Sequence, residues 1–194
     1  MKVAIIKYNA GNIRSVDHAL KRLGVPAGIT DDHDEIRSAD RVIFPGVGEA
    51  ATTMAYLKER GMDGLIRELT QPVLGICLGQ QLMCSWSGEG NTPCIGIFDQ
   101  PVAAFPAGEL KVPHMGWNCL RETRGKLFSG SLEGSYVYFV HSYYVPVCEH
   151  AAAVCDYMIP FSAALQRDNF FATQFHPEKS GDPGHRILQN FLAI

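Results

Sequence analysis

Residues 71–81, Q-P-V-L-G-I-C-L-G-Q-Q, decide the fold of this 194-residue chain. An apolar, β-rich run ends at Cys77, and a helical pattern begins directly after it. Cys77 lies between Gly75 and Gly79, the spacing of an elbow in which a strained strand-to-helix turn holds a nucleophile. The glycines remove side chains that would collide with such a turn. The segment therefore predicts an α/β protein with a candidate nucleophile at a strand end.

Cys77 could instead be an inert thiol in a packed core, and the short G-x-C-x-G pattern alone does not decide. A helix that starts directly after the cysteine places free N–H groups and a positive dipole beside the sulfur, which favours the thiolate. The same N–H groups, with that of Leu78 first, could hold an oxyanion. Both features indicate a reactive cysteine.

A cysteine nucleophile needs a base, and the base needs an orienting acceptor. The segment Q-F-H-P-E-K-S occupies residues 174–180, after a β-rich run over residues 170–175. His176 should project from that strand end, and Glu178 could hold one imidazole nitrogen while the other faces Cys77. A surface turn is the alternative for H-P-E taken alone.

The segment P-G-V-G at residues 45–48 follows a β-rich run over residues 42–44. Its two glycines, Gly46 and Gly48, permit a peptide plane to rotate, and that plane could present the N–H of Val47 to an oxyanion. A plain loop is the alternative. Gly46→Pro is therefore expected to disturb activation of the site more than ligand binding.

The rest of the chain predicts a doubly wound, mostly parallel sheet with helices on both faces. In the first half, β-rich runs alternate with helical stretches, the pattern of βαβ units. The second half is β-rich and predicts antiparallel additions to the same sheet. The predicted strands are residues 3–8, 42–44, 73–76, 96–98, 102–105, 136–144 and 151–155, and the predicted helices are residues 15–23, 49–60, 78–86 and 183–192.

Composition narrows the function classes. A length of 194 residues with 46% hydrophobic residues predicts one domain spanning residues 1–194. The formal net charge of −3 offers no basic excess for nucleic acid or an anionic membrane, and the N-terminal apolar run between Lys2 and Lys7 is too short for a signal peptide or a spanning helix. A cytoplasmic protein is expected. Its six cysteines form no C-x-x-C pair, so most should be free, buried thiols and no metal site is predicted.

Together, G-I-C-L-G-Q-Q and F-H-P-E resemble the motifs of class I, triad-type glutamine amidotransferases. Over almost the whole chain, the resemblance is to one branch of that family, the glutaminase subunits of imidazole glycerol phosphate synthases. It implies attack on the glutamine amide, no cofactor, and a heterodimer with a (β/α)₈ cyclase subunit that takes the ammonia for histidine biosynthesis. The further segments are Y-N-A-G-N (8–12), P-G-V-G (45–48), K-V-P-H-M-G-W-N (111–118), Y-F-V-H-S-Y (138–143) and H-P-E-K-S (176–180).

The resemblance also implies roles for individual residues. Cys77 matches the nucleophile, His176 the general base and acid, and Glu178 the orienting carboxylate. Glu89 matches a counter-charge for the ammonium group of glutamine, although ordinary loop solubility also explains a carboxylate there. The matched glutamine-binding positions are Gly48, Gln81, Glu89, His141, Ser142 and Tyr143. The matched positions near the ammonia exit and the partner are Asn12, Trp117, Tyr138 and Lys179.

Trp117 lies among Pro113, Gly116 and Asn118, which predict a loop, and a large apolar side chain in a loop favours a contact surface over a core position. The chain differs from the usual family pattern at Asn9, at Gln80 and at the pair Glu49 and Ala50. The resemblance therefore does not predict the local packing around these residues, but it still predicts the triad.

Several alternatives stay open at this stage. One is the glutaminase of another amidotransferase, such as those of anthranilate, guanylate or pyridoxal phosphate synthesis. A non-catalytic binding protein of the same fold and a cysteine peptidase are the others. The intact set of Cys77, His176 and Glu178 disfavours a non-catalytic protein, and the matched glutamine positions disfavour a peptidase.

Overall fold

A computed structural model describes residues 1–8 and 13–194 of the chain. Asn12, predicted at the partner surface, and Asn9 lie outside the described residues. The α-helices are α1 (Ile13–Arg22), α2 (His33–Arg37), α3 (Ala50–Glu59), α4 (Met62–Glu68), α5 (Leu78–Met83) and α6 (Gly181–Ala193). The strands are β1 (Val3–Ile6), β2 (Ala27–Thr30), β3 (Arg41–Gly46), β4 (Val73–Cys77), β5 (Cys84–Ser87), β6 (Thr92–Pro93), β7 (Phe98–Ala104), β8 (His114–Cys119), β9 (Tyr136–His141), β10 (Tyr143–Tyr144), β11 (Ala151–Tyr157), β12 (Ile159–Arg167) and β13 (Phe170–Thr173).

The largest sheet has the strand order β11-β12-β13-β4-β3-β1-β2 within the described ranges. The run from β13 to β2 is parallel, and β11 and β12 add to it antiparallel. The predicted mostly parallel α/β sheet with antiparallel additions is therefore confirmed. Strand β13 returns from the C-terminal part of the chain to lie directly beside β4, so the two strands that precede His176 and Cys77 are neighbours.

Side chains along the central strands alternate between two apolar cores on opposite faces of the sheet, as the pleat of a strand requires. In β1, Val3 and Ile5 face the core that also contains side chains of α1 and α6. Ala4 and Ile6 face the core that contains side chains of α2, α3, α4 and α5. Helices therefore cover both faces, and each central strand is apolar at nearly every position because both faces are buried.

The second half departs from the prediction in part. Only β11, β12 and β13 join the large sheet, while β10, β7, β5 and β6 form a separate mixed sheet and β8 and β9 form a two-stranded antiparallel ribbon. The helix predicted over residues 78–86 was too long, since it ends at Met83 and residues Cys84–Ser87 pair with β7 as a strand. The loop predicted around Trp117 was also wrong. Residues His114–Cys119 form β8, and Trp117 pairs with Tyr138 of β9.

Candidate active site

Cys77 is the last residue of β4, and α5 begins at the next residue. Its backbone has φ 55° and ψ −108°, a left-handed conformation that costs a non-glycine residue energy. Gly79 and Gly75 allow the close approach, because a Cβ at Gly79 would overlap the carbonyl of Phe44 and one at Gly75 would lie 2.9 Å from Met83 Sδ. The predicted elbow is present, and it aims the sulfur into a pocket.

His176 and Glu178 follow β13, beside the strand that carries Cys77. The imidazole Nδ1 lies 2.8 Å from Glu178 Oε1, and both side chains are fully buried. Burial lowers the pKa of His176, but hydrogen bonds with Cys77 and Glu178, and the negative charges of both, outweigh it and raise that pKa to about 10. The structure thus brings together the three residues predicted to form a triad.

Two further groups contact the sulfur of Cys77, and the sequence alone did not identify them. Gln174 Nε2 lies 3.7 Å from Cys77 Sγ and can donate to it, while the carbonyl of Val140 lies 3.8 Å away. Gln174 is completely buried, and its Oε1 accepts a hydrogen bond of 2.9 Å from Gln81 Nε2. The only available signal was a polar residue inside the apolar run at residues 170–175.

A pocket of about 340 Å³ opens over Cys77 and His176. Every residue predicted to bind glutamine lies in its wall. The lining residues are Val47, Gly48, Cys77, Leu78, Gln81, Glu89, Pro113, Val140, His141, Ser142, Tyr143 and His176. Pro113 and Val140 are additions that the sequence analysis missed. The two residues predicted to donate to an oxyanion, Val47 and Leu78, also lie in the wall, on the two segments that flank the nucleophile.

Glu89 connects the pocket to helix α3. Its Oε2 accepts a 2.8 Å hydrogen bond from the backbone N–H of Ala50, the first residue of α3. Burial raises the pKa of Glu89, the bond from Ala50 lowers it, and the charge of Glu49 raises it again. A backbone N–H at the start of α3 therefore holds the Glu89 carboxylate in the pocket wall.

The glycines of P-G-V-G divide into two roles. Gly46 ends β3 opposite Cys77, and a Cβ there would lie 2.5 Å from the backbone N of Gly79 and 2.7 Å from Leu78 Cβ. Gly48 has φ +121° and open space around its Cα. Gly46 is therefore required for close packing against the elbow, and the conformational freedom that the sequence analysis assigned to both glycines belongs to Gly48.

The ribbon of β8 and β9 packs against the segment that carries His176. The backbone N–H of His176 donates to the carbonyl of Tyr138 at 2.9 Å, and Ser180 Oγ accepts from the N–H of Tyr138 at 3.0 Å. Ser180 Oγ in turn donates to the carbonyl of His176 at 2.6 Å. The position of the imidazole is therefore fixed from the ribbon as well as from β13.

Three of the predicted partner residues belong to the described part of the chain, Trp117 and Tyr138 on this ribbon and Lys179 in the short segment after His176. Trp117 is 55% exposed, which excludes a core position, and its ring centroid lies 6.1 Å from that of the half-buried Tyr138. Lys179 is exposed, one residue beyond Glu178. Met115 and Tyr136 on the same ribbon are 63% and 59% exposed. An exposed apolar surface therefore begins directly behind the candidate active site.

The arrangement is suited to acyl transfer. A buried histidine beside a sulfur at a strained turn supplies a proton donor and a nucleophile, and Val47 and Leu78, the predicted oxyanion donors, line the same pocket. The pocket wall offers carboxylate, amide and carbonyl groups for a small polar substrate.

Comparisons with known proteins agree with this chemistry. The family model of the class-I glutamine amidotransferases matches residues 4–194. The chain is 65% identical to the imidazole glycerol phosphate synthase subunit HisH of Bacteroides fragilis and 64% identical to that of Bacteroides thetaiotaomicron, over the full length of each chain. It is 46% identical to the same subunit of Pectobacterium atrosepticum, again over both full lengths.

Solved structures share the fold at low identity. The structure of PurLQS from Thermotoga maritima superposes with a TM-score of 0.74 at 16% identity, covering 99% of this chain and 97% of that one. A protein described as a glutamine amidotransferase superposes with a TM-score of 0.77 at 22% identity, covering 98% and 97%. By the match of the family model and its full-length relatives, the chain belongs to the class-I glutamine amidotransferase family.

Proposed function

We propose that the chain is the glutaminase subunit of an imidazole glycerol phosphate synthase in histidine biosynthesis. The observation that carries this proposal is the buried group of Cys77, His176 and Glu178 under a pocket lined by every predicted glutamine-binding residue. The names of the full-length relatives favour this synthase over those of anthranilate, guanylate or pyridoxal phosphate synthesis.

In the proposed reaction, the thiolate of Cys77 attacks the side-chain carbonyl carbon of glutamine and forms a tetrahedral oxyanion. His176, as an imidazolium, gives its proton to the departing nitrogen, the C–N bond breaks and ammonia leaves. Neutral His176 then takes a proton from water as that water attacks the thioester. Glutamate leaves and the thiolate returns. Glu178 holds the imidazole through Nδ1 and stabilises its charge.

The partner of this proposal is a (β/α)₈ cyclase subunit that forms a heterodimer with the chain and uses the ammonia. The exposed apolar side chains of the ribbon support a docking surface, because large apolar groups in contact with water favour burial in an interface. Trp117, Tyr138 and Lys179 would lie in that interface, and Asn12 is assigned there by the resemblance alone. The cyclase would form imidazole glycerol phosphate and an aminoimidazole carboxamide ribotide.

The oxyanion donors we propose are the backbone N–H groups of Val47 and Leu78. Gly48, with its positive φ and open surroundings, supports a peptide that changes orientation, so that the site is complete only when the partner holds its ribonucleotide. One oxyanion donor is worth roughly 10²–10³ in rate. Gly48→Ala should therefore reduce the activation by ribonucleotide, whereas Gly24→Ala, at another positive-φ glycine with open surroundings, should leave activation unchanged.

The proposal is tested by steady-state glutamate release from the chain alone, with the cyclase, and with the cyclase and its ribonucleotide. Release that depends on glutamine and rises by about 10²–10³ with the full set supports the proposal. No release under any condition would contradict a glutaminase. Equal release with a cyclase and with an unrelated synthase would contradict the assigned partner.

Trp117→Ala tests the docking surface separately. Truncation of a buried interfacial tryptophan commonly costs at least about 2 kcal/mol, roughly thirtyfold in affinity. Titration calorimetry with the cyclase should show this loss while the melting temperature of the chain stays unchanged. Trp86→Ala, at an exposed tryptophan on β5, is the matched control. Unchanged affinity of the Trp117→Ala chain would contradict the interface.

The described residues include no helix long and apolar enough to cross a membrane. The predicted cytoplasmic location stays a proposal, and cell fractionation tests it. The prediction of a single domain also stays a proposal.

A further inference from the structure

A chain of hydrogen bonds runs through the interior of the ribbon and ends at the glutamine pocket. Asn118 Nδ2 lies 3.3 Å from His114 Nε2, and His114 Nδ1 lies 3.0 Å from His141 Nε2. His141 Nδ1 then lies 2.7 Å from the carbonyl oxygen of Tyr143. Both histidines are buried, and His141 and Tyr143 line the pocket.

The direction of every bond in this chain follows from the chemistry of its two ends. A carbonyl oxygen only accepts, so His141 Nδ1 carries a proton and donates it to Tyr143. In a neutral ring Nε2 is then an acceptor, which requires His114 Nδ1 to be the donor between the rings. His114 Nε2 is left as an acceptor for the amide of Asn118.

The orientation of the Asn118 amide is fixed independently. The backbone N–H of Cys119 donates to Oδ1 at 2.7 Å, and Nδ2 donates to the carbonyl of Asp156 at 2.9 Å. The first contact requires the oxygen at one position, and the second requires the nitrogen at the other. The two hydrogens of the amide thus serve Asp156 and His114, and the chain needs no charged histidine.

The surroundings of both rings favour this neutral state. Burial lowers the pKa of His114 to about 4. Burial also lowers the pKa of His141, the hydrogen bond to Tyr143 raises it, and the proximity of His114 and His176 lowers it further, to about 3. The ring of His114 stacks on Tyr157 and Phe139, with centroid distances of 3.9 Å and 4.8 Å, which fixes its plane.

The carbonyl of Tyr143 receives a second hydrogen bond, of 3.0 Å, from Gln81 Nε2. The other hydrogen of the Gln81 amide is donated to Gln174 Oε1, and Gln174 contacts Cys77. The position of the Tyr143 carbonyl therefore orients the Gln81 side chain in the pocket wall. A change at His114 reaches this carbonyl through its hydrogen bond with His141.

We propose that His114 is a positioning residue for the glutamine site, which fixes His141 in its Nδ1–H tautomer and thereby the carbonyl of Tyr143. The proposal rests on the proposed function for the identity of the substrate, but the hydrogen-bonded chain itself does not. His114 does not face the pocket, so it acts on binding only through the wall.

The first test uses ¹⁵N-histidine NMR on the full unmodified chain at neutral pH. Both His114 and His141 should show a protonated Nδ1 and an unprotonated Nε2, the less common tautomer of neutral histidine. A protonated Nε2 on His141 would overturn the proposal. This arm requires neither activity nor a variant, so it also decides the matter if a variant fails to fold or if no glutamate is released.

The second test separates the effect of the hydrogen-bond donor on His114 from the effect of its packed ring. His114→Phe keeps the stacked ring and removes the donor to His141, whereas His114→Asn keeps an N–H donor near the position of Nδ1 and removes the ring. With the cyclase and ribonucleotide present, His114→Phe should raise KM for glutamine about tenfold with kcat changed less than about twofold, the effect of one lost hydrogen bond on binding.

His114→Asn should raise KM less than about threefold, because the donor is retained. Equal increases in the two variants would show that packing of the ring matters instead, and no increase in either would show that the wall does not depend on His114. A fall in kcat at constant KM would also overturn the proposal. Complete inactivity of the unmodified complex would refute the proposed function and leave the NMR result to decide the inference.

Discussion

His176 and the pair formed by His114 and His141 lie beside the same pocket, and all three histidines are buried to nearly the same extent. His176 is 0% exposed, while His114 and His141 are 3% and 6% exposed. Burial lowers the pKa at all three. The net shifts nevertheless have opposite signs. The pKa of His176 is raised to about 10, whereas those of His114 and His141 are lowered to about 4 and 3.

The difference comes from the charge of the neighbours. His176 lies between the sulfur of Cys77 and the carboxylate of Glu178, whose hydrogen bonds and negative charges favour the imidazolium. His114 and His141 contact each other, an amide and a carbonyl, which carry no charge. His176 therefore favours the protonated state and can act as a proton donor, whereas His114 and His141 hold a fixed pattern of hydrogen-bond donors and acceptors. Burial alone would have assigned both the same role.

The largest expected effect is that of Cys77→Ala. Loss of the covalent route should lower glutamine-dependent glutamate release by several orders of magnitude, while the complex should still form product from added ammonium salt. The pKa of His176, followed by NMR titration, should also fall, because the hydrogen bond and the negative charge of the Cys77 sulfur, which raise it, are gone.

Cys94→Ala is the matched control, a buried thiol outside the pocket. Retained glutamine-dependent activity in the Cys77→Ala complex would contradict the nucleophile, and an unchanged pKa of His176 would contradict the explanation of the comparison.

Glu178→Gln should come next. It removes the negative charge beside His176 Nδ1, so the pKa of His176 should fall, and glutamate release should drop by roughly 10²–10³ because the charge on the ring is no longer stabilised. Glu149→Gln is the control, since Glu149 lies 3.8 Å from His150 on the surface. Equal losses in the two variants would show that the carboxylate at 178 has no special position.

Gln174→Leu should have a smaller effect. Gln174 gives the sulfur of Cys77 a neutral hydrogen bond, and its loss should slow the reaction of Cys77 with iodoacetamide about tenfold at fixed pH. Gln80→Leu is the matched control, a buried glutamine whose amide donates to the carbonyl of Ser162 instead. An unchanged alkylation rate in Gln174→Leu would assign the state of the sulfur to His176 alone.

The smallest expected effect is on stability below neutral pH. His114 and His141 have lower pKa values in the folded chain than the usual 6.5, so the unfolded chain binds more protons, and stability should decline as pH falls from about 6.5 toward 4. The decline should be on the order of 1 kcal/mol per histidine by pH 5. His176 has the opposite sign, with stability present below about 6.5 and lost as pH rises through about 10.

Urea unfolding of the chain and of His114→Phe at pH 5 and pH 7 measures this difference. The acid decline should be smaller in His114→Phe, which has one fewer buried neutral histidine. Identical declines would contradict the lowered pKa of His114.

Local sequence was sufficient for some of these features. The elbow at Cys77 was predictable because its glycines, its strand and its helix are adjacent in sequence, and the two-residue step from His176 to Glu178 across a proline fixes that pair locally. The parallel core was predictable because strands buried on both faces are apolar throughout.

Features set by distant contacts were not predictable. The residues around Trp117 suggest a loop, but the hydrogen-bond ladder to β9 overrides local preference and makes a strand. Gln174 lies 97 positions from Cys77, and His114 lies 27 positions from His141, so their roles exist only once the sheets are assembled. For the same reason, the different roles of Gly46 and Gly48 could not be predicted, because the close neighbour of Gly46 is Gly79, which is distant in sequence.

The place of β13 between β12 and β4 has a consequence for synthesis of the chain. A ribosome makes β4 and its cysteine long before residues Phe170–Thr173, so during translation one edge of β4 lacks its final neighbour and is open to wrong pairing. Insertion of β13 closes that edge and delivers His176 in the same step. The nascent chain should therefore be unable to release ammonia until its sheet is complete, which protects the cell's glutamine from half-made enzyme.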